Sequence, residues 1–216
     1  MEGDQNWIQE GLGSENIRYG SVQAKIVDNI LLLPTSAGTL DAVDPKTGIK
    51  LWDFHFNSQR KGYAGSALGD FGGNPVVSDN HIFYGSSNGQ FVSLNLDGRK
   101  KWQVPVGVQG SPVAIGNSLF FISDLSELTR ITKADGSLVW TNPISMLTEK
   151  NHYFEPLLAG SRLWITGSHK YLISFDPETG DQKNSFSLGA DALGPPIYYS
   201  ESIIVYTKSG EILAFK

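Results

Sequence analysis

Cysteine is absent from this chain of 216 residues, and several other features are missing as well. Without cysteine there can be no disulfide, no thiolate metal ligand and no cysteine nucleophile, and redox chemistry gives no indication of the compartment. No apolar run is long enough to cross a bilayer, and no long segment has helical periodicity. The net charge of −5 argues against binding nucleic acid or an anionic membrane, since both require a basic face. Partners recognised through loops are therefore expected.

The first six residues, Met-Glu-Gly-Asp-Gln-Asn, are polar and acidic. They provide neither the positive region nor the apolar core of an export signal. We therefore expect either a cytoplasmic protein or an exported one whose leader is absent from this sequence.

A repeated pattern dominates the chain. Its clearest copy is Asn29–Trp52, in which an apolar run, a turn at Ala37-Gly38, an alternating run, a turn at Pro45–Gly48 and a final run follow one another. This pattern predicts three short strands joined by hairpins, and a further apolar run before each copy makes four. The copies lie at residues 22–56, 74–106, 111–144, 155–188 and 195–216.

The spacing of these copies is close to the about 40–45 residues of a β-propeller blade. A four-stranded antiparallel sheet buries its faces against neighbouring copies, so the repeat predicts an all-β propeller with about five blades, as one domain over residues 1–216. A tryptophan at the end of the outer strand is predicted to dock against the next blade. The residues in this position are Trp7, Trp52, Trp102 and Trp140, and the fourth copy has Asn184 instead.

The polar residues of the repeat do not form a catalytic or metal-binding pattern. An aspartate recurs before the second turn of each of four copies, where its carboxylate can accept a hydrogen bond from the backbone N–H two residues on. Such repetition favours a structural role for Asp44, Asp97, Asp135 and Asp176. The four histidines lie in different copies without metal-ligand spacing, so no metal and no catalytic residue is predicted.

The segment Asn6–Glu10 looks like the end of a blade whose other strands are absent. In one interpretation it completes the last copy beside Glu211–Lys216 and closes a five-bladed ring. In the other, the chain is the C-terminal part of a larger propeller. The second is favoured, because residues 11–22 have the composition of a loop between blades.

The motif from Gly38 to Trp52, GTLDAVDPKTGIKLW, resembles the repeat of pyrroloquinoline-quinone (PQQ)-type propellers. The order of the irregular copies resembles the BamB family of outer-membrane protein assembly lipoproteins. Four features carry that resemblance: the Gly72–Val77 entry, Asp124–Leu128 in place of a glycine turn, the fourth copy without tryptophan, and the ending Ser-Gly-Glu-Ile-Leu-Ala-Phe.

This resemblance implies a non-catalytic scaffold without a cofactor. Members of that family are eight-bladed, are held at the periplasmic side of the outer membrane by a lipid anchor that this chain lacks, and bind the periplasmic domains of BamA. Their contact loops correspond to Ile17, Arg18, Asp70 and Phe71. The insertion Asn57–Gly73, which is long for a repeat loop, is also expected to carry binding function.

Two other functions use the same architecture. A quinoprotein dehydrogenase would need a bound quinone, an ion held by carboxylates and an amide, and an aspartate base, and no such set stands out from the turn residues. A ligand-binding or sensor propeller is the second alternative. A kinase or transmembrane segment elsewhere in the gene would favour the sensor, whereas a lipoprotein signal would favour the scaffold.

Overall fold

The computed structural model describes residues 4–8, 23–35, 38–56, 73–87, 89–144 and 151–216. Every regular element in these ranges is a β-strand, which confirms the predicted all-β class. Nowhere in them is there a helix with the length and apolarity needed to cross a membrane. The chain divides into two compact units, Met1–Gly107 and Val108–Lys216, and the single domain predicted over residues 1–216 stays a prediction.

The first unit contains two four-stranded sheets. Sheet 1 consists of β1 (Lys25–Val27), β2 (Ile30–Thr35), β3 (Thr39–Val43) and β4 (Lys50–His55). Sheet 2 consists of β5 (Val76–Ser78), β6 (His81–Ser86), β7 (Gln90–Asn95) and β8 (Lys100–Val104). Consecutive strands are antiparallel neighbours in both sheets, as the repeated hairpins predict.

The second unit contains three sheets with the same strand order. Sheet 3 consists of β9 (Val108–Ile115), β10 (Ser118–Ser123), β11 (Glu127–Thr132) and β12 (Leu138–Pro143). Sheet 4 consists of β13 (Leu157–Ala159), β14 (Arg162–Ile165), β15 (Tyr171–Phe175) and β16 (Gln182–Ser187). Sheet 5 has three strands, β17 (Ile197–Tyr199), β18 (Ser202–Tyr206) and β19 (Ile212–Phe215).

In four of the five sheets, the first hairpin turns through two residues with left-handed backbone. The φ angles are 44° and 59° at Asp28 and Asn29, and 47° and 61° at Ser200 and Glu201. Two positive φ values are typical of the type I′ turn, whose twist matches that of antiparallel strands. Aspartate and asparagine tolerate this conformation, so the residues of the first copy suit the turn. The fifth copy forms the same turn with Ser200 and Glu201, which tolerate it less well.

The last hairpin of each four-stranded sheet is organised by the recurring aspartate. The Oδ1 atoms of Asp44, Asp97, Asp135 and Asp176 accept hydrogen bonds from the N–H two residues on, at distances of 2.7, 3.1, 3.0 and 2.9 Å. The predicted structural role of these carboxylates is confirmed. Beyond the turn, the register between the third and fourth strands shifts by one residue in all four sheets, as at a β-bulge.

Apolar side chains fill the spaces between successive sheets within each unit. In the first unit, Leu32 and Leu40 of sheet 1 pack with Ile82 and Val92 of sheet 2, and all four are buried. In the second unit, one cluster joins sheets 3 and 4 and another joins sheets 4 and 5. Both faces of an inner strand are therefore buried, which explains the nearly continuous apolar runs in the sequence.

Candidate partner-binding site and sheet contacts

The four residues predicted to contact a partner lie outside the described residues. Ile17 and Arg18 belong to the range 9–22, and Asp70 and Phe71 belong to the range 57–72. That second range also includes all but the last residue of the predicted binding insertion. Their assignment to a binding surface stays a prediction.

In the first unit, two tryptophans contact the last hairpin of the sheet that follows them. Trp52 Nε1 donates a hydrogen bond to Leu96 O at 2.9 Å, and the ring covers Gly98 so closely that an added Cβ would lie 2.6 Å from Trp52 Cδ2. Trp7 Nε1 donates to Pro45 O at 3.1 Å, and its ring covers Gly48 in the same way. Each indole therefore contributes a buried apolar face and one directed hydrogen bond to the contact between consecutive copies.

Trp140 makes the corresponding contact in the second unit. Its Nε1 donates to Pro177 O at 3.3 Å, and its ring covers Gly180. The same carbonyl accepts a hydrogen bond of 3.0 Å from Arg130 Nη1, and this guanidinium also pairs with Glu178 at 2.7 Å. Trp102 is largely buried in its own sheet, where its ring centroid lies 5.9 Å from that of Phe83 and 5.8 Å from that of Phe91.

The fourth copy replaces the missing tryptophan with two other residues. Asn184 is exposed and bonds to the neighbouring strand of its own sheet, where its N–H donates to Ser174 Oγ at 3.2 Å and its Oδ1 accepts from the same hydroxyl at 3.3 Å. Phe186 stacks on Trp164 at 6.3 Å and lies 5.4 Å from Phe215 of sheet 5, both measured between ring centroids. Sequence reasoning missed this role, although Phe186 occupies the place of Phe54, two residues beyond the tryptophan position.

The hairpin between β10 and β11 holds an apolar side chain out toward solvent. Leu125 at its tip is 65% exposed, in a position where the other copies have Ala37, Asn88, His169 and Ser209. The tip is held by Ser123 Oγ, which accepts from the N–H groups of Leu125 and Glu127, both at 3.2 Å. Gln109 Nε2 adds hydrogen bonds to Ser123 O and Ser126 Oγ. The sequence signal for Leu125 was the Asp124–Leu128 irregularity, which had been used only to identify the family.

Three of the turn carboxylates, Asp97, Asp135 and Asp176, have a pKa below the ordinary value because hydrogen bonds stabilise the anion. The hydroxyl of Thr132 and the N–H of Ser137 lower the pKa of Asp135 to about 2. Hydrogen bonds from Arg99 lower the pKa of Asp97, and the N–H of Glu178 lowers that of Asp176. Groups held ionised in this way anchor a turn and do not donate protons.

Acidic and basic side chains lie close together on sheet 1. Lys50 Nζ lies 2.9 Å from Asp41 and 3.7 Å from Asp53, and His55 Nε2 lies 2.6 Å from Asp53. The hydrogen bond with Asp41 raises the pKa of Lys50, so the ammonium remains charged and does not act as a base. Within the described ranges, no group of three or more histidine, aspartate or glutamate residues is arranged to hold a metal ion.

The hydroxyl of Ser93 is buried without a hydrogen-bond partner, and two further buried polar groups in the described residues share this property. The Nε2 atom of His169 is one, and burial against Tyr153, 5.1 Å away between ring centroids, lowers the pKa of His169 to about 4. The other is the hydroxyl of Tyr84, whose pKa is raised by burial. Each group destabilises the fold by the loss of its hydration.

Together, the antiparallel sheets and their indole contacts define a propeller repeat protein whose recurring polar residues hold turns. The family model described as outer membrane protein assembly factor BamB matches residues 1–142 and 128–216. The chain belongs to this family.

A curated relative and two solved structures are similar to this chain. The BamB of Legionella pneumophila (strain Paris) is 23% identical over 186 residues, which are 86% of this chain and 48% of the relative. BamB from Moraxella catarrhalis has a TM-score of 0.74 at 15% identity, covering 91% of this chain and 58% of that one. A quinohemoprotein alcohol dehydrogenase from Comamonas testosteroni has a TM-score of 0.66 at 13% identity, covering 94% and 42%.

These structural similarities show the fold alone, and with the repeat they confirm the predicted β-propeller class. The chain spans about half the length of the curated relatives it matches, 48%, 45% and 53% of the first three. The prediction of an eight-bladed propeller is not tested by these similarities.

Proposed function

We propose that this chain is part of a non-catalytic periplasmic scaffold that binds the periplasmic domains of BamA and assists outer-membrane protein assembly. The observation that carries the proposal is the match of the BamB family model over both parts of the chain. The curated relative from Shewanella oneidensis, 25% identical over 192 residues, is also named an outer membrane protein assembly factor. A lipid anchor on residues beyond this sequence would hold the protein at the outer membrane.

The use of polar side chains within the sheets supports a scaffold. The recurring aspartates bind the N–H groups of their own turns, and Arg130 bridges sheets 3 and 4 through Pro177 O and Glu178. Because these side chains are hydrogen-bonded within and between the sheets, the sheets form a rigid support for the loops. A rigid frame favours binding because little conformational entropy is lost when a partner docks.

The proposed partner contacts are Ile17, Arg18, Asp70 and Phe71, which the family resemblance implies, and Leu125, which we propose as a separate apolar anchor in the second unit. An arginine offers a planar fork of donors for carboxylate or carbonyl oxygens, and an apolar neighbour supplies an anchor, a pairing common at interface centres. Leu125 has the properties of such an anchor, since it is exposed on a turn held by four hydrogen bonds. Affinity should therefore depend on a few anchors and only weakly on net charge.

The test is binding of this chain to purified BamA periplasmic domains, measured by biolayer interferometry at two salt concentrations. Leu125→Ser should weaken binding at least tenfold, about 1.4 kcal/mol, which is the size expected for a buried apolar anchor. Leu138→Ser is the matched control, because Leu138 lies in the same sheet and is 62% exposed, compared with 65% for Leu125. Arg18→Glu and Asp70→Arg should also weaken binding without changing the circular-dichroism spectrum.

Binding of free PQQ with calcium to this chain is measured in parallel as a control. Saturable binding of the BamA domains with none of the cofactor would support the scaffold. Cofactor binding alone would favour a dehydrogenase, and binding of neither ligand would contradict the proposal. If binding is saturable but Leu125→Ser and Leu138→Ser have equal affinity, Leu125 is not an anchor.

A further inference from the structure

The hairpin between β14 and β15 has a buried residue at its tip. In the corresponding hairpins of sheets 3 and 5 the tip residues are Leu125 and Ser209, and both are exposed. The tip residue of the sheet 4 hairpin is His169, which is only 4% exposed. An ionisable side chain is therefore shielded from water at a position that faces solvent in these two neighbouring sheets.

The segment that leads into β13 covers one part of this hairpin. This preceding segment consists of residues 151–156. Ser168 N–H donates to His152 O, and His152 N–H donates to Ser168 Oγ, both at 2.9 Å. Phe154 N–H donates to Thr166 O at 3.0 Å. Backbone hydrogen bonds thus attach the preceding segment to the hairpin.

A second segment, which follows β16 and leads toward sheet 5, is attached to the same hairpin. This following segment consists of residues 188–194. Leu188 N–H donates to Lys170 O at 2.8 Å, and Ala192 N–H donates to Gly167 O at 3.2 Å. The hairpin with His169 at its tip therefore holds both the preceding and the following segment in place.

The hydrogen bond to the ring fixes which nitrogen of His169 carries the proton. Tyr171 N–H donates to His169 Nδ1 at 3.3 Å, so Nδ1 is the acceptor and the proton of the neutral ring lies on Nε2. Nε2 is buried without a hydrogen-bond partner. A second proton, on Nδ1, would point at the N–H of Tyr171 and set two donors against each other. The buried position thus accommodates the neutral ring and opposes the imidazolium.

Neighbouring groups leave the ring little room to adjust in place. Its centroid lies 5.1 Å from that of Tyr153, a fully buried side chain of the cluster between sheets 3 and 4. An added Cβ on Gly167 would lie 2.9 Å from His169 Cδ2, so the backbone already touches the ring. A charged ring can therefore regain its hydration only by leaving the tip.

An acidic side chain of the following segment favours the charged ring. Burial lowers the pKa of His169 to about 4, and the negative charge of Asp191 opposes this shift. The side chain of Asp191 is 26% exposed, and its Oδ2 lies 3.2 Å from Lys208 Nζ on the β18–β19 hairpin. A displaced imidazolium can bind this carboxylate in place of the lysine. Further titratable or charged groups on the surrounding segments are His152, Tyr153 and Glu155 of the preceding segment and Lys170 of the hairpin.

We propose that the β14–β15 hairpin is a proton-operated switch. Protonation of His169 moves its ring out of the tip toward Asp191, and the preceding and following segments then detach from the hairpin. The closed state predominates at neutral pH, because the ring is then neutral. As the pH falls below 6.5, the ordinary pKa of histidine, the open state becomes more stable because it accommodates the imidazolium.

Amide hydrogen exchange, followed by mass spectrometry and corrected for intrinsic rates, tests the switch. Peptides covering residues 151–171 and 188–194 should lose protection about 50-fold between about pH 7 and pH 4.5, as pKa values of about 6.5 when open and about 4 when closed require. The β10–β11 hairpin is the internal control, because it belongs to the same unit and contains no histidine. Its exchange reports any general loosening of that unit.

Three variants separate the switch from other effects of acid. His169→Asn supplies an Oδ1 that can accept from Tyr171 N–H without titrating, and the second copy has Asn88 at this position. This variant should lose the pH-dependent change in protection. Asp191→Asn should reduce the change about two- to fivefold, as expected for an exposed ion pair. His152→Asn is the matched control and should retain most of the change.

Equal pH dependence in the parent and in His169→Asn would overturn the switch. So would equal pH dependence in the two segments and in the β10–β11 hairpin, or loss of the change in His152→Asn. If His169→Asn is unprotected at every pH, the comparison between the parent and Asp191→Asn decides, and an unchanged response in Asp191→Asn overturns the proposal.

Discussion

The contact between Trp52 and Gly98 can be tested with a pair of glycine-to-alanine substitutions. Gly98 and Gly210 have nearly the same backbone, with φ angles of 82° and 85°. An alanine at either position is forced into a left-handed conformation, which costs about 1–2 kcal/mol. They differ in their surroundings, because a Cβ at Gly98 would lie 2.6 Å from Trp52 Cδ2, whereas a Cβ at Gly210 has nothing within 4 Å.

Gly98→Ala should therefore destabilise the fold more than Gly210→Ala. The ring of Trp52 is half-buried between sheets 1 and 2 and hydrogen-bonded to Leu96 O, so it cannot move away without losing packing. Overpacking of this kind typically adds about 1–3 kcal/mol. We expect Gly98→Ala to lower the free energy of unfolding by about 3 kcal/mol in total, against about 1–2 kcal/mol for Gly210→Ala.

Equilibrium urea unfolding followed by far-ultraviolet circular dichroism measures both changes, because this signal does not depend on tryptophan. Trp52→Ala alone should cost about 3 kcal/mol, the lower end of the range for fully buried aromatic side chains, because the ring is half-buried. In the Trp52→Ala background the steric collision is gone, and Gly98→Ala should cost no more than Gly210→Ala. Additive effects of Trp52→Ala and Gly98→Ala, or equal costs of the two glycine substitutions in the parent, would refute the proposed contact.

Three further changes test individual groups. Tyr84→Phe removes a buried hydroxyl without a partner and should raise the free energy of unfolding by about 1 kcal/mol, and a loss of that size in urea unfolding would contradict this. Glu201→Asn places a residue that tolerates left-handed backbone at a φ of 61°, and thermal unfolding should show a gain of about 1 kcal/mol, since the exposed Lys216 pair at 3.9 Å contributes little. The pKa of His169 is about 4 in the folded protein, below its ordinary value of 6.5, so the unfolded chain binds more protons between these values. The stabilisation from neutral His169 is thus complete above pH 6.5 and decreases by up to about 3 kcal/mol as the pH falls from 6.5 to 4. His169→Gln should flatten that dependence, and parallel stability curves would contradict it.

The sequence was sufficient to predict the all-β class, the four-stranded copies and the role of the turn aspartates. These features depend on local patterns, namely alternation of apolar residues and an aspartate two residues before an N–H that needs an acceptor. The third sheet shows the limit of such patterns, because β9 begins at Val108, before the predicted copy at residue 111.

Features that depend on two copies at once could not be read from one pattern. The sequence identifies Asn184 as a departure from the repeat, but its hydrogen bond to Ser174 and the replacement of the tryptophan contact by Phe186 depend on side chains from sheets 4 and 5. The exposure of Leu125 was also missed, since an apolar residue in a hairpin does not indicate by itself whether a neighbour covers it. The proposed contacts at Ile17, Arg18, Asp70 and Phe71 still rest on the family resemblance.

Each described strand ladder joins consecutive strands of one copy. Adjacent copies within one unit pack through apolar side chains and, in two of these contacts, through an indole bonded to a carbonyl. Duplication or deletion of one whole copy therefore leaves the hydrogen bonds within every remaining sheet intact. Only the side-chain contact between the two newly adjacent copies has to form again. The fourth copy shows that even this contact can be exchanged for a phenylalanine stack. A fold built in this way can change its number of copies during evolution, with breakpoints just beyond each outer strand.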